Sequence, residues 1–248
     1  MKEKKNPLIF TLIVWLIWLI VTLGGQKLQA GGEIELDAMA SSSIIYSVIA
    51  AVIFLLIVVA YKKWWQTTGM AMGNIAPNLR LLAFPAIIIL IMIMMGFTSG
   101  VATNVIVIIL VNSLLVGVSE ELMMRGILFH GISFTQSLMR TVVITAVLFG
   151  AMHAMNGFLT GNFSTAIMQA VMAIGFGVWI GALRVRLNSI FPVMLLHGLW
   201  DFSLFSMAQG ESILVQTLPI VFSLALFIYG LWLLRGIKPT DMPIVAKA

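Results

Sequence analysis

Six ionisable side chains stand inside otherwise apolar stretches of this sequence: Glu120, Glu121, Arg125, His153, His197 and Asp201. A charge at the centre of a bilayer costs at least about 2.5–3.5 kcal/mol, so an ionisable group there is a functional hypothesis by default. Their spacings are those of shared helix faces. Glu121 and Arg125 are four residues apart and can pair; so are Phe149 and His153, and His197 and Asp201. Glu120 lies about 100° round its helix from Glu121 and is free to point elsewhere. A carboxylate in a low-dielectric cavity is a stronger base than one in water and can act as a general base. A histidine beside it can orient water or carry the proton, and a second histidine with a polar partner can stabilise an oxyanion. With no cysteine in the chain, hydrolysis by activated water is the natural reaction. Glu120, His153 and His197 are equally the ligand types of a catalytic divalent metal site such as zinc. The absence of H-E-x-x-H excludes a zincin helix. The cofactor reading at this point is therefore none, or a divalent metal held by Glu120, His153 and His197.

The elements carrying these residues are membrane spans. Of 248 residues, 61% are hydrophobic and 9% charged, with a mean hydropathy of +1.10. A soluble domain has roughly 45–50% apolar and about 25% charged residues, so soluble enzyme, nucleic-acid binder and disordered protein are excluded. Apolar runs of spanning length predict an all-α polytopic membrane protein of about eight helices. They run from Leu8 to Leu23, Ile44 to Tyr61, Leu79 to Thr98, Asn104 onward past Val118, Leu138 to Met155, Ser164 to Leu183, Ile190 to Met207 and Ile213 to Leu234. No soluble domain separates them, so residues 1–248 read as one integral-membrane domain. The basic start of the first run resembles a signal peptide, but no A-x-A site follows, and a retained anchor is expected.

Eight crossings place Lys2, Lys4, Lys5, Lys62, Lys63, Arg80, Arg140, Arg184, Arg186, Arg235, Lys238 and Lys247 on one side. Lys27 is left with Glu33, Glu35, Asp37 and Glu211 on the other. The positive-inside rule then puts both termini in the cytoplasm. The net charge of +5 is a topology signal and implies no nucleic-acid partner. Trp64 and Trp65 read as interfacial anchors, and Gly177 and Gly181 as a close helix contact. Asn104 and Asn112 read as packing residues, and His130 as interfacial. Asn156 and Asn162 carry no clear signal.

Depth brings the polar residues together. If the fourth span extends to Ser133 and Phe134–Ser137 is a turn, Glu120 lies ~20 Å above that turn and His153 ~24 Å. With a helix start near Ser189, His197 lies ~12 Å and Asp201 ~18 Å up the seventh span. A polar catalytic cavity within the membrane is expected.

At these residues the sequence resembles the CAAX protease and bacteriocin-processing (CPBP, or Abi) family, whose best-known members are type II CAAX prenyl endopeptidases. E-E-x-x-x-R appears as Glu120 to Arg125, F-x-x-x-H as Phe149 to His153, and H-x-x-x-N/D as His197 to Asp201. The resemblance implies a family-like core over about residues 104–207 and an intramembrane endopeptidase, a class labelled metalloprotease although its glutamate-with-water mechanism needs no metal. It implies that Glu120 and His153 activate water, that His197 and Asp201 line the oxyanion site, and that Glu121, Arg125 and Phe149 support them. Position 201 is Asp where the well-studied CAAX proteases carry Asn, which weakens the assignment of a prenylated CAAX substrate more than that of a protease. The expected partners are the lipid bilayer and a lipidated, leader or membrane-protein peptide cleaved near the cytoplasmic half; the oligomeric state is left open. The expected location is the cell (cytoplasmic) membrane of a bacterium or archaeon. The alternatives are a non-catalytic scaffold or bacteriocin-immunity protein, and a proton-coupled transporter, which the lack of internal repeats disfavours.

Overall fold

The computed structural model describes residues 6–71, 75–98, 100–209 and 213–238. Lys2, Lys4, Lys5, Glu211 and Lys247, used above to orient the chain, lie outside them. The fold is all-helical, with no strand among the described residues. Its helices are α1 (Leu8–Ala30), α2 (Leu36–Ser42), α3 (Tyr46–Lys62), α4 (Ala83–Phe97, entered by a 3₁₀ turn), α5 (Thr103–Ser133), α6 (Leu138–Thr160), α7 (Phe163–Leu187), α8 (Phe191–Ala208) and α9 (Ile213–Leu234). Among the described residues, seven helices are long and apolar enough to cross a membrane, and α2 with α3, bent by 86°, makes an eighth if the pair is one span. The polytopic membrane architecture expected from composition is therefore present.

Boundaries differ where glycine or arginine was read as a stop. The first span does not end at Gly24 and Gly25. It passes through a π-helical turn at Ile20–Gly24 and continues to Ala30. In lipid every backbone polar group needs an internal partner, which favours continuing the helix over opening it, and Gly25 lets Ser47 of α3 pack against it. The sixth span runs on to Leu187 because Arg184 and Arg186 are not loop residues. Arg184 is fully buried, its guanidinium lying over Gly69. Arg186 reaches the open end of α9, donating from Nε to the Leu233 carbonyl (3.0 Å) and from Nη2 to the Arg235 carbonyl (2.6 Å).

Helix ends use ordinary capping chemistry. The Ser137 hydroxyl accepts from the Arg140 amide at the start of α6, and the Asn162 carboxamide from the Thr165 amide at the start of α7. Pro192 occupies the first turn of α8, where its missing N–H is not needed.

The centre of the bundle is α5. Every residue from Leu122 to Leu128 is buried, and this stretch is π-helical. A π turn inside an α-helix re-aims the side chains around it and recurs at functional sites. Two close crossings set the surrounding helices. Gly117 of α5 meets the backbone of Gly198 and Met194 in α8, so that a Cβ at either glycine would press on the other helix's backbone. Gly177 and Gly181 of α7 lie against Ala146 and Val142 of α6, the close contact expected of that pair. Asn112 ties α5 to the bend between α2 and α3. Its carboxamide donates to the Ala40 and Ser43 carbonyls (2.9 and 2.8 Å) and accepts from the Ile45 amide (3.0 Å). Asn104, by contrast, is exposed at the start of α5. His130 is buried under the edge of Trp64, with ring centroids 4.7 Å apart, inside the bundle's end and not at its surface. Trp64 also packs on Phe10, while Trp65 keeps 42% of its surface exposed.

Candidate active site

The crossing at Gly117 and Gly198 brings the polar residues of α5 and α8 together, because Gly117 lies one turn before Glu120 and Glu121 and Gly198 directly follows His197. Glu121 and Arg125 are wholly buried. Arg125 Nη1 donates to Glu121 Oε1 at 3.1 Å, and its guanidinium carbon lies 4.3 Å from the centroid of the Phe149 ring. Buried charges require such partners. Gly177 leaves the room that Arg125 occupies: a Cβ there would stand 3.2 Å from Nη2. The same Glu121 oxygen takes a second bond, 2.7 Å from His197 Nδ1. That bond fixes the His197 ring, and a carboxylate partner means that Nδ1 carries the hydrogen.

The opposite edge of His197 faces the reactive carboxylates. Nε2 is 3.8 Å from Glu120 Oε2 and 3.5 Å from Asp201 Oδ2. Glu120 points away from the Glu121–Arg125 pair and keeps 17% of its side chain exposed, against none for Glu121. Its Oε2 has no hydrogen-bond partner among the described residues. His153 Nδ1 lies 2.8 Å from the Phe149 carbonyl. A carbonyl only accepts, so Nδ1 donates and Nε2 keeps its lone pair. The ring lies tilted against Phe149, with centroids 4.5 Å apart, and both His197 and Phe149 pack on Phe176.

Two cavities reach these groups. One, of about 170 Å³, has Glu120, His153 and Asp201 in its wall, with Trp18, Thr22 and Gln26 of α1 opposite. The other, of about 320 Å³, exposes His153, His197 and Asp201 between α7 and α9, where Met168 and Ile220 face outward. Glu120 and His153 therefore share a wall, and no direct hydrogen bond joins them among the described residues.

The metal reading can be tested against this geometry. Among the described residues, no group of three or more His, Asp or Glu is arranged to hold a metal ion. The Nδ1 bonds of His197 and His153 would leave either Nε2 free for a metal, so it is the lack of a converging third group that decides. The arrangement does not fit a metal held by Glu120, His153 and His197, and no step is routed through one.

Several participants carried no recognised sequence signal. The indole of Trp18 donates to Ser119 Oγ at 2.9 Å, so α1 is fastened beside Glu120. Asn156 Nδ2 donates to Gln169 Oε1 at 2.9 Å, and the pair lines the first cavity. Phe176 was one aromatic among many.

No curated protein and no solved structure matches the chain. Residues 102–203 match the family model described as type II CAAX prenyl endopeptidase Rce1-like. That segment, which carries every residue of the cluster, is similar to the type II CAAX prenyl endopeptidases.

Proposed function

We propose that the chain hydrolyses a peptide bond of a membrane-associated substrate with a water held by Glu120 and His153. The observation that carries this reading is the contrast between adjacent carboxylates. Glu121 is wholly buried, with one oxygen shared by Arg125 and His197, while Glu120 is partly exposed in the wall of a cavity that Glu121 does not line. A base must reach its proton directly or through one water, and a water in that wall meets Glu120 Oε2 and the lone pair of His153 Nε2.

Glu120 takes a proton as the water oxygen bonds to the scissile carbonyl carbon. The carbonyl π electrons move to its oxygen, and the resulting oxyanion accepts a hydrogen bond from Nε2–H of a doubly protonated His197, whose Nδ1–H Glu121 holds in place. Glu120 then returns its proton to the amide nitrogen as the C–N bond breaks, leaving an acid and an amine. Asp201, 3.5 Å from His197 Nε2, orients that edge. Substrates are lipidated, leader or membrane-protein peptides, and the setting is the cytoplasmic membrane of a bacterial or archaeal cell.

The test is a comparison of peptide termini in membranes from cells carrying the wild type or Glu120→Gln at matched expression. A terminus lost in the variant identifies both activity and substrate. Identical termini with the wild-type phenotype preserved would replace the protease reading with a scaffold.

A further inference from the structure

The two ends of the bundle differ in charge and in openness. At one end Lys62 lies 4.2 Å over the Phe10 ring, Asn78 Nδ2 donates to the Arg186 carbonyl at 2.6 Å, and the Ile190 amide donates to the Gly69 carbonyl at 3.1 Å. These contacts gather Lys62, Lys63, Arg80, Arg140, Arg186 and Arg235 at a single end. At the other, the Lys27 ammonium donates to the Leu159 carbonyl at 3.5 Å and Gln29 Nε2 to the Ile44 carbonyl at 2.8 Å. Lys27 is the one Lys or Arg there among the described residues, beside Glu33, Glu35 and Asp37. Over short loops, such a bias puts the basic end in the cytoplasm.

The cavity at Glu120 opens the other way. Its wall continues through Gln26, Leu36, Asn156 and Gln169 into a neighbouring cavity bordered by Glu35, Asp37 and Thr160, all at the acidic end. No residue of the basic end lines either cavity among the described residues. Toward that end the site is closed by the fully buried stretch Leu122–Leu128, with Ile190 against Gly126.

We propose that the site is served from the extracytoplasmic side, and that its substrates are exported peptides tethered to the outer half of the membrane, not chains anchored at the cytoplasmic face. The sequence-based expectation of cleavage near the cytoplasmic half then gives way. The substrate half of the inference rests on the protease reading; the direction of access does not.

The cysteine-free sequence allows a clean experiment. Single cysteines are placed at Glu35→Cys (acidic end), Gln26→Cys (cavity wall) and Thr135→Cys (basic end), and intact cells are treated with a membrane-impermeant maleimide. Labelling of Glu35→Cys and Gln26→Cys on intact cells, with Thr135→Cys labelled after permeabilisation alone, is the expected result. The reverse pattern overturns the orientation. Labelling at Glu35→Cys without Gln26→Cys overturns access from that end. Since labelling needs no turnover, an unchanged terminus profile in Glu120→Gln beside the expected labelling would remove the protease reading and leave the direction of access standing. A vanished terminus that maps to a cytoplasmic segment would overturn the substrate class.

Discussion

The two faces that α5 presents at residues 120 and 121 are made by consecutive glutamates and have opposite characters. The inner face is dry. Glu121 is wholly buried, held by Arg125 and His197, with Arg125 lying on the Phe149 ring. The outer face borders a cavity, and its glutamate has an oxygen unclaimed by any described residue. The lesson is that a charged pair in the membrane can act as scaffold for a charge that acts as reagent. The scaffold is recognised by full burial beside charged partners and the reagent by its place in a cavity wall.

The sharpest test of that division is Glu120→Gln. It removes the base and little else, so turnover is expected to fall about 10²–10⁴-fold, with the melting curve in detergent unchanged. A comparable fall in thermal stability would erase the distinction between the two faces. Glu121→Ala should do the reverse first, destabilising the fold by about 3–5 kcal/mol because it strands a buried guanidinium. Thermal unfolding measures this, and an unaltered midpoint would show that the inner pair is not structural. Gly198→Ala forces a Cβ to 2.9 Å from the Leu114 Cα. It should cost about 1–3 kcal/mol through overpacking, and lower turnover more than a surface mutation of equal cost by moving His197 from Glu120. Phe149→Leu loses the ring beneath Arg125, worth about 0.5–2 kcal/mol, together with some buried packing volume, and should lower the melting point. Asp201→Asn is expected to have the smallest effect, retaining turnover within about tenfold, since an amide can still orient His197; a complete loss would give Asp201 a role of its own in the reaction.

How much of this was legible in advance follows from what helix periodicity encodes. Spacings of four put Glu121 with Arg125 and His197 with Asp201, and both relations are local to one helix. The spans were visible because lipid demands length and apolarity. What one helix does to another was not visible. Nothing in the sequence chose Gly117 and Gly198, out of 21 glycines, as the point where α5 and α8 touch. The π-helical stretch after Glu121 leaves no trace in hydropathy, since all its non-polar side chains are buried alike. Arg184 looked like a loop residue because arginine ordinarily is one at a span's end. Its burial depends on Gly69, more than 100 positions earlier, and the structure offers it no hydrogen-bond acceptor among the described residues. The Asn156–Gln169 bond crosses between helices and was equally hidden.

The bond from Trp18 to Ser119 spans 101 residues, and that from Glu121 to His197 a further 76. During synthesis at roughly 5–20 residues per second, α1 must wait in the bilayer for its partner, and the glutamates wait again for the imidazole that Glu121 positions. The candidate site is thus completed only once α8 has been inserted. On the proposed reading, the order of biogenesis itself keeps an unfinished protease from acting on its neighbours at the translocon.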